Sequence, residues 1–140
     1  MSTSERAGPA TLPLFAAALA VNWAFDALSW CAPALSPPHL LLRYASELVA
    51  HLVSPWAMAL TASPVLAAIG VLLSRVVPPG APHRRASLTA WISGFWVLSE
   101  GLLALTWLSA PWGVLAASVL FGFVRSAAMA SALVWASGGR

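Results

Sequence analysis

The 140-residue sequence contains no lysine, a single cysteine, one tyrosine and only four acidic residues. Charged residues of all kinds make up 8% of it. A soluble domain carries roughly a quarter, so a water-facing coat is excluded and the membrane class remains. All seven basic residues are arginines, for a formal net charge of +3. The densest basic stretch is His83-Arg84-Arg85. It is too small for a nucleic-acid surface and reads as a topology signal in a loop. Cys31 alone supports no intrachain disulfide, CxxC pair or cysteine zinc site. The chain has no GxSxG, HExxH, P-loop or Gly-rich dinucleotide turn, and no repeat of 20–50 residues. No cofactor and no metal are expected, and the sequence gives no positive sign of an enzyme.

What the sequence does have is long apolar runs, 60% of residues being hydrophobic. Residues 11–32 form the first run, charge-free up to Asp26. A cleaved signal peptide is the competing reading, with "APA" at 32–34 as its cleavage site. The run exceeds the roughly 7–15 residues of a signal core, and Asp26 interrupts its end. Spans follow at 53–75, 86–109 and 112–136. "VVPPGAPHRR" at 76–85 is a loop and "APWG" at 110–113 a tight turn. Pro64 lies within the second span and should kink it, with Thr61 and Ser63 near enough to satisfy freed backbone groups.

The expected fold is an all-α integral membrane protein. It is one domain over 1–140, an up-down bundle of four transmembrane helices plus an outer interfacial amphipathic helix at 39–52. Arg6, Arg75, Arg84, Arg85 and Arg140 flank one side. The positive-inside rule puts that side, with both termini, in the cytoplasm of a bacterial inner (plasma) membrane. Trp23, Trp30, Trp56, Trp107 and Trp112 then gather at the outer face and Trp91 and Trp135 at the inner one. Trp96 lies deeper.

The helix at 39–52 carries a polar stripe, His39, Arg43, Glu47 and His51, at intervals of four. Leu41, Tyr44, Leu48 and Leu52 form its apolar side. His39 and His51 stand about 18 Å apart along a helix, too far to share one ion. The stripe is therefore read as a face towards water and headgroups, with Arg43 and Glu47 a weak pair.

Asp26, Glu100 and Arg125 lie inside apolar runs. An ionised residue there costs roughly 2.5–3.5 kcal/mol on insertion scales, so it is paired or functional. Asp26 is about 9 Å and Glu100 about 13 Å below the outer ends of their spans, with Arg125 somewhat deeper. The tight turn between spans three and four makes Glu100 the expected partner of Arg125, which leaves Asp26 unexplained. Ser118, Gly122, Ser126 and Ala130 form a small-xxx-small row on the last span. They are read as packing inside the bundle, with a dimer or docking face as the sharper alternative.

Three functions are compatible with these features. The leading one is a small accessory or scaffold subunit of a membrane assembly. The second is a proton- or ion-coupled transporter or channel using the Asp26–Glu100–Arg125 column. The third is a lipid-binding or lipid-modifying protein. The expected partners are the lipid bilayer, further copies of the chain or a larger membrane complex, and no nucleic acid.

Overall fold

The structure is a computed structural model, and it describes residues 11–32, 58–98 and 111–138. The described residues form four helices: α1 (Thr11–Cys31), α2 (Ser63–Val76), α3 (Arg84–Trp96) and α4 (Trp112–Ala136). No strand occurs among them. α1 and α4 are each long and apolar enough to cross a membrane. At 21 and 25 residues they extend about 32 and 37 Å, against about 30 Å of hydrocarbon.

Residue pairs fix the topology. Thr11 meets Arg75 and Asp26 meets Ser63, so α1 and α2 are antiparallel. Asn22 meets Arg125 and Phe25 meets Phe121, so α1 and α4 are antiparallel too. Arg84 reaches Ser137 and Trp96 lies against Gly122, which sets α3 antiparallel to α4. The four helices alternate up and down.

Pro64 sits in the first turn of α2, where a missing N–H costs little. A π-helical segment, Met58–Ala62, runs directly into it. In a continuous α-helix the Pro64 ring would press on the carbonyl four residues back. The wider π turn gives that carbonyl room.

The loop between the second and third helices is shorter than the sequence suggests. α3 begins at Arg84 rather than 86, and α2 runs to Val76. Pro82 and His83 close the turn, His83 adopting a left-handed φ of 61°. Arg84 then folds inward onto the ends of α2 and α4 instead of facing water. Gly138, at φ 76°, stops α4 in the left-handed conformation usual after a helix end.

The core is an apolar layer of Leu14, Ala18, Ala67, Val71, Leu88, Ile92, Met129, Ala130 and Leu133. It fills the half of the bundle nearer the 77–83 turn. Gly70 lets Met129 approach: a Cβ there would lie 3.2 Å from Met129 Cε.

Candidate functional site: a buried arginine cluster

Beyond that apolar layer the interior turns polar. Arg125 projects from the middle of α4 and is 6% exposed. Each of its three nitrogens has a partner. Nη1 lies 3.2 Å from Asp26 Oδ1. Nε donates to Asn22 Oδ1 at 2.7 Å. Nη2 donates to Ser63 Oγ at 3.0 Å. The Ser63 hydroxyl in turn donates to Asp26 Oδ2 at 2.6 Å, closing a ring across α1, α2 and α4.

α3 supplies the lid. The guanidinium carbon sits 5.1 Å from the centroid of the Trp96 ring, in cation–π range. Trp96 can reach that position because Gly122, one turn from Arg125, has no side chain. A Cβ at 122 would overlap Trp96 Nε1 and Cδ1. The indole placed deepest by the sequence is therefore the one held over a buried cation.

Local sequence explains the ring. Asn22 and Asp26 are four residues apart on α1, hence on one face. The Asn22 amide donates to Ala18 O at 2.9 Å and lies 3.1 Å from Met129 Sδ, which fixes its oxygen towards Arg125. Ser63 stands between the π segment and Pro64. It satisfies the ion pair, not the backbone freed by the proline. A buried ion pair is stable only when its remaining polar positions are met, and Asn22 and Ser63 meet them here.

Asn22 and Ser63 carry two bonds of the ring, and sequence reasoning gives neither this role. The available signal is the Asn22/Asp26 spacing within an otherwise apolar run. Glu100, the partner expected for Arg125, lies outside the described residues. So do His39, Arg43, Glu47 and His51. The small-residue row is turned into the bundle: Ser118, Gly122, Ser126 and Ala130 are all buried. Ser126 donates to Gly122 O, a bond within its own helix.

A second buried arginine lies at the opposite end. Arg84 donates from Nη1 to Ser137 Oγ at 2.6 Å and from Nη2 to Ser74 O at 3.1 Å. Among the described residues no group of three or more His, Cys, Asp and Glu side chains could hold a metal. Chemically, the Arg125 cluster can hold four helices in register around a neutralised charge.

No family model matches the chain, and no curated protein or solved structure does either.

Proposed function

We propose that the chain is a small multi-pass membrane protein that serves as an accessory or scaffold subunit of a membrane assembly. The observation that carries this reading is the pairing of Arg125 with Asp26 inside a bundle whose outer surface is apolar.

The inside-out pattern supports membrane insertion. Exposed positions on the four helices are apolar except Thr11, Arg75 and Arg85. Leu28, Leu72, Trp91 and Leu120, one from each helix, are all above 60% exposed. Asn22, Ser63, Ser93, Arg125 and Ser126 are instead buried. Water would penalise that arrangement, whereas hydrocarbon favours it. Trp112 and Trp135 are 79% and 78% exposed at the two ends of α4. Their separation of about 35 Å suits two interfacial aromatic belts. The arginines at the 77–83 turn favour that end as the cytoplasmic one.

Within the membrane class, pairing favours a structural role over transport. A conduction path needs polar groups free to exchange protons or ions. Asp26 is engaged by Arg125 and Ser63. The apolar layer around Leu14, Val71, Leu88, Met129 and Leu133 lies between this cluster and Arg84. A charge fixed in this way sets helix register for a partner subunit to dock against.

The test is extraction from native membranes in mild detergent at native expression, followed by mass determination and reconstitution. A discrete complex with another protein in fixed stoichiometry is expected. Proton or ion flux through proteoliposomes of the chain alone would overturn the scaffold reading in favour of transport.

A further inference from the structure

The π-helical segment Met58–Ala62 and Pro64 meet at Ser63. Ala62 keeps right-handed helical dihedrals, φ −68° and ψ −42°, so the segment and α2 run on as one helix. The backbone ladder is nevertheless weak at their junction. An amide pairs with the carbonyl four residues back in an α-helix and five residues back in a π-helix. The change of register leaves one carbonyl without a ladder donor. Pro64 has no N–H and removes a second bond. α2 has no side-chain cap at this end. Prolines and π turns are the usual places where helices bend, and here the two are adjacent.

This weak joint is held from the side. The Ser63 hydroxyl donates to Asp26 Oδ2 and accepts from Arg125 Nη2. Past Pro64, α2 is anchored on its own account. Leu66, Ala67, Gly70 and Val71 are buried, and Ala67 and Val71 belong to the apolar layer. On the other side of the joint Leu60 and Thr61 are exposed. The chain before Ser63 can therefore change direction without unpacking α2.

We propose that Ser63 and Pro64 form a latched hinge. Through the Ser63 hydroxyl, the Arg125–Asp26 ring sets the direction in which Met58–Ala62 leaves α2. The π segment is the moving part, the proline joint is the pivot and the ring is the latch. Breaking the two bonds to Ser63 frees the segment to bend at the joint while α2 stays packed. Anything that takes Arg125 or Asp26 from Ser63 thereby changes the direction of a helix, not only the state of a charge. The inference goes beyond the scaffold reading and does not depend on it.

The experiment uses the full chain in dodecyl maltoside, with Cys31→Ser as background because Cys31 is exposed. Spin labels at Leu60→Cys and Leu120→Cys report across the joint. Labels at Val65→Cys and Leu120→Cys report the α2 side of it, and all three positions are exposed. Distances are read by electron–electron dipolar spectroscopy. With Ser63 in place each pair should give one narrow distance. Ser63→Ala should add a second distance to the Leu60–Leu120 pair and leave the Val65–Leu120 pair unchanged. Ser63→Thr keeps the hydroxyl and should behave as the original chain does. Adding Pro64→Ala to Ser63→Ala restores an N–H at the joint and should return the Leu60–Leu120 pair to a single distance. An unchanged Leu60–Leu120 distance in Ser63→Ala, or a second distance in Ser63→Thr, overturns the latch. Broadening of both pairs means that the ring holds all of α2, and overturns the hinge. Two distances persisting after Pro64→Ala place the motion elsewhere and overturn it as well.

Discussion

Arg125 Nη1 lies 3.2 Å from Asp26 Oδ1, and the two side chains are 7% and 15% exposed. The pair joins the first helix to the last across most of the chain's length. Breaking such a pair leaves one charge buried without a partner, which costs roughly 3–5 kcal/mol, while removing both charges costs less than the sum. Asp26→Asn, Arg125→Gln and the double variant should show this in thermal unfolding in detergent. Strictly additive losses would mean the two groups do not meet.

Trp96 and Gly122 give a second, purely steric prediction. A methyl group at 122 displaces the indole from its place over Arg125. Overpacking of this kind costs roughly 1–3 kcal/mol. Gly94 lies on the exposed side of α3, where a Cβ meets nothing within 4 Å. Gly94→Ala should therefore be neutral or slightly stabilising, by up to about 1 kcal/mol from helix propensity. Equal midpoints for the two alanine variants would remove Trp96 from the site.

Ser63 links both charged partners, so its hydroxyl matters more than its size. Ser63→Ala takes one acceptor from Arg125 Nη2 and one donor from Asp26 Oδ2. Unmet buried groups of this type cost roughly 1–3 kcal/mol each, more when charged. Ser63→Thr keeps the hydroxyl and should recover most of the loss. A variant series that tracked side-chain volume alone would contradict this.

Much of the architecture is legible in composition, because hydrocarbon-length runs and proline-rich breaks announce helices without reference to packing. The described ends of α1 and α4 agree closely with those runs. Residue pairing is not legible in the same way. Depth along a span can be counted, but rotation about the axis and the order of neighbours cannot. Counting alone favours Glu100 for Arg125, since their spans adjoin. Glu100 lies outside the described residues; among those described it is Asp26 that meets Arg125, because α1 packs against both α2 and α4. Arg84 is hidden for another reason. Two adjacent arginines after a proline-rich loop look equally wet, yet only Arg85 is exposed and Arg84 is buried.

Arg84 should resist conservative replacement. Its fork reaches two helix ends at once, a geometry a lysine ammonium does not reproduce. Arg84→Lys should lower the unfolding midpoint, and Ser137→Ala should lower it by a smaller amount. In a double-mutant cycle Arg84→Lys and Ser137→Ala should couple, by roughly 0.5–3 kcal/mol for residues in contact. Independence of the two would show that the latch between α3 and α4 does not form.

Orientation is open to chemical test at two exposed positions. Gly80 lies in the 77–83 turn, where an added Cβ would meet nothing within 4 Å, while Pro111 precedes α4 and is exposed. On the proposed topology the arginines around the first turn would put it in the cytoplasm and Pro111 on the opposite side. Cys31 is exposed and reactive in principle, so the assay starts from Cys31→Ser. In intact cells a membrane-impermeant maleimide should label Pro111→Cys and spare Gly80→Cys until the membrane is permeabilised. The reverse pattern would invert the proposed orientation. Labelling of both positions from outside would mean that the chain between them does not cross the membrane, and the four-span topology would fall with it.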